Sequence, residues 1–141
     1  MSRTVLVTGS SRGIGRAIAK AFAKQGDRVV INYIERKAAA EQVKEEIIRD
    51  GGRAMVVQCD VSDEQQVKQM IATIEQEFSP VEVLVNNAGI AEMKLFTEIE
   101  TSTWERMFDV NVKGMYLCCK YVLPSMISRK KGKIVNTSSV W

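Results

Sequence analysis

Five short, mostly apolar runs rich in β-branched residues recur along the chain, each separated from the next by a stretch with helical spacing. The runs are Thr4–Thr8 (TVLVT), Arg28–Tyr33 (RVVINY), Ala54–Gln58 (AMVVQ), Val81–Val85 (VEVLV) and the segment that starts at Lys133 (KIVNTSSVW). A strand with one face in water alternates apolar and polar residues, whereas one buried on both faces does not, and strands of that kind belong to parallel sheets covered by helices. Between the runs, Ile14, Ala17, Ile18, Ala21 and Phe22 share one predicted helical face, Ala40, Val43 and Ile47 a second, and Val67, Met70, Ile71, Ile74 and Phe78 a third. Gly51 and Gly52 end the second helix, and Ser62, with Gln65 three residues on, is the expected cap of the third. A long fourth helix is predicted from about Ser102 or Thr103 through Trp104, Met107, Phe108, Met115 and Val122 toward Arg129–Lys131. Parallel strands need right-handed crossovers. The expected fold is therefore α/β, a doubly wound parallel sheet of five strands with flanking helices. At 141 residues, 45% hydrophobic and 26% charged, the chain has length for one such core, and residues 1–141 read as a single domain.

Chemistry enters between the first strand and the first helix, at Thr8–Gly15 (TGSSRGIG). Glycines at 9, 13 and 15 suit a tight turn, a close approach of backbone to a pyrophosphate and close packing of helix on strand, and the helix N-terminus points donors at the phosphates. This placement predicts a dinucleotide-binding Rossmann domain. No G-x-x-x-x-G-K-[ST] occurs, which excludes a P-loop. The absence of histidine removes Ser-His-Asp and Cys-His catalysis, and Cys59, Cys118 and Cys119 have no metal-site or redox spacing, so no metal is expected. The cysteines read as core residues of a reduced, cytoplasmic protein. A net charge of +3, with both signs interleaved, predicts neither a nucleic-acid nor a membrane partner, and three cations at Arg129–Lys131 fit a helix C-terminus.

Five motifs in order, TGSSRGIG, CDV at 59–61, NNAG at 86–89, DVNVKG at 109–114 and NTSS at 136–139, resemble the short-chain dehydrogenase/reductase family. Within it the texture of TGSSRGIG, VVINY and the NNAG-to-Ser139 stretch is nearest to the bacterial 3-oxoacyl-(acyl-carrier-protein) reductases. The resemblance implies that Gly9, Ser10, Ser11 and Arg12 wrap the pyrophosphate and adenosine ribose, with Gly13, Ile14 and Gly15 completing the loop. It implies further that Asp60 and Val61 meet the adenine, the carboxylate accepting from its amino group, and that Asn87, Ala88 and Gly89 line the cofactor beyond the fourth strand. Asn111 matches the family's tetrad asparagine, which organises a relay water, and Ser139 its catalytic serine, which stabilises the developing oxyanion.

The tetrad's tyrosine and lysine, in a Y-x-x-x-K helix, normally follow that serine by about a dozen residues in the family the chain resembles. Here that lies past Trp141. Tyr116 and Lys120 have the spacing but precede the serine, and they read as ordinary helix residues. The expectation is a C-terminally incomplete domain, inactive alone, from an enzyme that reduces a small-molecule or acyl-carrier-protein-linked carbonyl in fatty acid synthesis. The alternative is a catalytically inactive nucleotide-binding module that acts through partners. Charge placement favours NADP(H) over NAD(H): Tyr33 stands where NAD-preferring relatives carry an acid, and Arg12 with Arg36 or Lys37 suits a 2'-phosphate, although Glu35 favours a ribose hydroxyl. The resemblance also implies a homo-oligomer when intact, commonly a tetramer or dimer. Met115, Cys119, Val122 and Leu123 are the apolar positions expected to contribute.

Overall fold

Each apolar run forms a strand in the computed structural model, which describes residues 2–140. The strands are β1 (Thr4–Val7), β2 (Arg28–Tyr33), β3 (Arg53–Gln58), β4 (Val83–Asn86) and β5 (Lys133–Asn136), all parallel in the order β3-β2-β1-β4-β5. Order reverses between β1 and β4, and ligands of open α/β sheets sit at such a reversal. Because side chains alternate along a strand, each strand feeds two cores. Val5, Val7, Val29, Ile31, Val83 and Val85 face helices α1 (Gly13–Lys24) and α2 (Lys37–Arg49). Leu6, Val30, Met55 and Leu84 face α3 (Glu64–Glu77) and α5 (Gly114–Ser128). Cys59 and Cys118 are buried in this second core, as expected of structural cysteines, and Cys119 is half-buried.

Four local expectations are corrected. The inward face of α1 is Gly15, Ala19 and Ala23, with Ile18 and Phe22 half-buried and Ala17 and Ala21 exposed; Ile14 is 68% exposed. Small residues at i, i+4 let this helix lie close on the sheet, and the bulkier side chains turn aside. The cap of α3 is Asp63, not Ser62: its carboxylate accepts from the Gln66 amide at 3.0 Å. The fourth strand is Val83–Asn86, shifted along from 81–85, because Glu82 N–H donates to Thr4 O and the β1–β4 ladder begins at Val83. The long helix is broken by a π turn at Asp109–Lys113 between α4 (Thr101–Phe108) and α5. Such turns insert a residue into a helix and are frequent at functional sites; Asn111 lies at its middle. The extra residue also turns Val122 into the core, at 1% exposure, so it is not on the surface expected to mediate assembly. Among the described residues no helix is long and apolar enough to cross a membrane, and no cluster of His, Cys, Asp and Glu is placed to hold a metal ion.

Candidate cofactor site

The turn after β1 is shaped by contacts that leave no room for side chains. Gly9 has φ +61°, and a Cβ there would stand 2.9 Å from Ala88 Cα. A Cβ on Gly15 would collide with Gly9 O and come within 2.5 Å of Asn87 Nδ2. Helix α1 thus begins directly on the turn, and the turn directly on the end of β4.

Polar side chains buried beneath lock this arrangement. Thr8 Oγ1 accepts from the backbone N–H of Asn87 at 3.0 Å and of Ala88 at 2.9 Å, while Asn87 Nδ2 donates to the carbonyls of Thr8 and Gly9. Asn32, on β2 and 2% exposed, accepts from Gly9 N–H at 3.0 Å and donates to Cys59 O at 3.1 Å, so one amide ties the turns after β1 and β3 together. Neither Asn32 nor the hydroxyl of Thr8 is among the site residues expected from the motifs. Their signal was a polar residue within an apolar strand run, since a buried polar group needs partners. Ser10 departs from its expected role as a ligand contact. It is fully buried, its hydroxyl donates to Val7 O at 2.6 Å and accepts from Asn32 N–H at 3.1 Å, and it braces the turn from inside.

Above this frame lies a cleft of about 700 Å³ at the carboxyl ends of the strands. Gly9, Ser11, Arg12, Gly13, Ile14 and Gly15 form its floor. Arg36 and Val61 line one side, and Asn87, Ala88 and Gly89 the other. The first amide bonded back within α1 is Arg16 N–H, to Arg12 O at 3.1 Å, so the N–H groups of Gly13, Ile14 and Gly15 precede the helical ladder. No acid occupies the first turn of α1, and nothing lies within 4 Å of where a Cβ on Gly13 would point. A positive helix end, unencumbered donors and an open glycine surface fit a pyrophosphate.

The remaining expected residues stand around the cleft. Asn111 pairs its amide reciprocally with the backbone of Ile90, donating to Ile90 O and accepting from Ile90 N–H, both at 2.8 Å. Its Oδ1 lies 3.2 Å from the position of a Cβ on Gly89, so the π turn abuts the NNAG turn. Ser139 is exposed beyond the end of β5 and does not line the cleft. Asp60 does not line it either. Its carboxylate accepts from Ser62 N–H at 3.0 Å, Ser62 Oγ at 2.7 Å and Arg106 Nη2 at 3.0 Å. Partial burial opposes its charge, but the bonds from Ser62 and Arg106 outweigh it and hold the carboxyl below its ordinary range. Arg106, also not anticipated, lines the cleft beside Val110. Lys120 Nζ and the Tyr121 hydroxyl both reach Glu64 on α3, Lys120 Nζ also stands 5.9 Å from the centroid of the Tyr116 ring, which is 59% exposed, and neither Tyr116 nor Lys120 lines the cleft.

A parallel sheet with a glycine turn, a helix N-terminus and an open cleft at its reversal point defines a dinucleotide-binding α/β protein. The chain belongs to the short chain dehydrogenase family, whose model matches residues 3–141. It is 43% identical over 139 residues to a 3-oxoacyl-(acyl-carrier-protein) reductase of Synechocystis sp., covering 99% of this chain and 56% of that protein. It is 40% identical over 140 residues to the enzyme of that name from Staphylococcus epidermidis, covering 99% and 57%. A metagenomic short-chain oxidoreductase solved in complex with NADP superposes with a TM-score of 0.93 at 33% identity, covering 99% of this chain and 63% of that one. The chain therefore spans just over half the length of these curated relatives.

Proposed function

We propose that the chain binds NADP(H) and that the reaction it serves is reduction of a carbonyl to an alcohol, with a 3-oxoacyl thioester on acyl-carrier protein as substrate and fatty acid synthesis as its setting. The observation that carries this reading is the cleft at the β1–β4 reversal, floored by the amides at the start of α1. Of the cations that line it, Arg12 and Arg36 stand near the end of β2, where one acid, Glu35, also lies, and this balance favours a ribose 2'-phosphate over a 2'-hydroxyl. The names of the relatives above support the substrate class.

The nicotinamide supplies the hydride when bound. The chain's own part is to hold the phosphates at Gly13–Gly15, to hold the NNAG wall against Thr8, and to present Ser139 Oγ–H as a donor to the substrate carbonyl oxygen as negative charge develops there. Asn111 uses one donor and one acceptor on Ile90, and its amide keeps a second donor and a second lone pair for a relay water. Within the 141 residues no Tyr-x-x-x-Lys segment follows Ser139.

Titration of the purified chain with NADPH and NADH is expected to give tighter NADPH binding, reduced to parity in Arg12→Ala; tighter NADH binding would overturn the cofactor assignment. With a 3-oxoacyl thioester and NADPH, its turnover is expected to fall far below that of the Synechocystis reductase, since a general acid contributes about 10²- to 10⁴-fold. Turnover within about tenfold of that control would show that the tetrad logic misreads this chain.

Self-association belongs to the same reading. Trp104, Phe108, Val112 and Tyr116 follow one another at four-residue spacing along α4, the π turn and the start of α5, each at least half exposed, with the Trp104 and Phe108 rings 4.9 Å apart. A continuous apolar stripe on the surface favours burial against another copy. Sedimentation should detect dimers or larger species that Trp104→Glu dissolves; a strictly monomeric chain at high concentration would refute it.

A further inference from the structure

The cleft takes the carboxyl ends of the strands, and their amino-terminal ends carry a different arrangement of charge. Arg28 opens β2 and Arg53 opens β3, and the two are register partners. Their Cα atoms therefore stand about 4.8 Å apart, and both side chains leave the sheet on the α3 face, with Thr4, Val30 and Met55. Like charges opposite one another on a sheet are destabilising. Among the described residues neither guanidinium has a carboxylate partner, although two acids stand at the same end of the sheet. Asp27 pairs with Arg3 at 2.6 Å and Glu82 with Lys131 at 2.8 Å. The connection from α3 to β4 fixes both guanidiniums. Ser79 Oγ accepts from Arg28 Nη2 at 2.8 Å and shares a hydrogen bond of 2.6 Å with Thr4 Oγ1, while Arg28 Nη2 also donates to Ser2 O at 3.3 Å. The Phe78 ring centroid lies 5.9 Å from the Arg53 guanidinium carbon. Arg28 is half-buried, and its Nε–H is covered and has no acceptor.

We propose that Arg28 and Arg53, set in place by Ser79 and Phe78, bind a phosphate group, either as inorganic phosphate or as a phosphate monoester. Arg28 Nη1 and the five N–H donors of the exposed Arg53 guanidinium meet no protein acceptor among the described residues, and they are the groups left for a ligand. A carboxylate offers two oxygens in one plane and suits a single guanidinium fork. A phosphate dianion presents its oxygens tetrahedrally, so it can face two guanidiniums on neighbouring strands at once. Its double charge also offsets both cations, which removes a repulsion that the sheet otherwise carries. The length of the six-residue strands β2 and β3 separates this site from the dinucleotide cleft, and it stands independently of the cofactor reading.

The test follows the arginine Nε–H signals and the backbone amides by two-dimensional NMR while the chain is titrated with inorganic phosphate, against sodium chloride at matched ionic strength. The Arg28 and Arg53 signals are expected to shift together and to saturate with a dissociation constant of about 1 mM. Arg53→Met, whose aliphatic side chain still covers Phe78, should keep the wild-type amide spectrum and weaken binding roughly tenfold. Acetate should bind at least about tenfold more weakly than phosphate. Glycerol 3-phosphate separates the two sources: binding at least as tight as that of inorganic phosphate supports a monoester, and weaker binding supports the free ion. Urea midpoints give a second readout, since phosphate at about 10 mM should raise that of the unaltered chain more than that of Arg53→Met. Shifts that remain linear up to about 50 mM phosphate, or that are confined to the amides of Gly13, Ile14 and Gly15, would overturn the proposal. So would equal affinity for acetate, or an equal rise in the two urea midpoints.

Discussion

Gly15→Ala is expected to abolish dinucleotide binding and to destabilise the fold by about 3 kcal/mol, the upper end of ordinary overpacking. The added methyl would meet Gly9 O, Asn87 Nδ2 at 2.5 Å and Ser10 Cα at 2.9 Å. Two of these are backbone atoms that cannot rotate away, and the third belongs to the amide that ties the glycine turn to β4. Relief requires α1 to lift off the turn, which moves the amides of its first residues and opens the cleft floor. Gly13→Ala is the informative contrast. Gly13 has φ +56° but nothing within 4 Å of its Cβ position, so only the left-handed backbone is penalised, at about 1–2 kcal/mol. Urea midpoints with NADPH titrations check both. Equal stability of Gly15→Ala and wild type would mean that helix and turn are not in the contact described.

Asn32→Leu is the second large effect. The substitution keeps the branched side-chain skeleton but leaves Gly9 N–H and Cys59 O without their partner in a site only 2% exposed. Each orphaned buried group costs about 1–3 kcal/mol, so a loss of roughly 3–4 kcal/mol is expected, with weakened NADPH binding as the turn relaxes. Asn32→Asp separates the two bonds. When ionised, the introduced carboxylate still accepts from Gly9 N–H but only repels Cys59 O; when protonated, it donates to that carbonyl. Burial raises this carboxyl above its unfolded value, so the folded state binds more protons and stability falls as pH rises. The deficit of Asn32→Asp should therefore shrink from pH 8 to pH 5, and a pH-independent deficit would exclude the donor role of this amide.

The parallel sheet was legible because strands buried on both faces must be apolar, and this constraint acts residue by residue. The glycine turn was legible for a related reason: Gly9 and Gly15 occupy positions where any side chain meets backbone. What escaped the reading depends on partners distant in sequence. Asn32 looks like an interruption of RVVINY until Gly9 and Cys59 are brought to either side of it. Arg106 looks like one more surface charge on α4 until the β3–α3 turn stands opposite. Hydrophobic size points to Ile14, Ile18 and Phe22 as the inward face of α1, whereas close packing on the turn selects small residues and leaves Ile14 on the cleft. Residue spacing assumes an ideal 3.6-residue repeat, whereas the π turn at Asp109–Lys113 shifts the faces of the long helix beyond it, and there Val122 lies in the core while Leu123 is exposed.

The bond from Ala88 N–H to Thr8 Oγ1 joins residues 80 apart, and it has a consequence for the order in which the molecule assembles. The unit β1-α1-β2-α2-β3 ends at Gln58 and pairs strands that are near in sequence. Docking β4 against β1 instead closes a long loop, whose entropic cost grows with the logarithm of its length and must be met before the contacts form, which makes such closures slow. The cleft draws its floor from the early unit and one wall from the late strand. It does not exist until closure is complete, and a dinucleotide spanning both parts stabilises the closed state alone, by RT ln(1 + [L]/Kd). For a chain emerging from the ribosome, cofactor capture then begins only once residue 89 has found residue 9, and the ligand acts as a latch on that long-range closure.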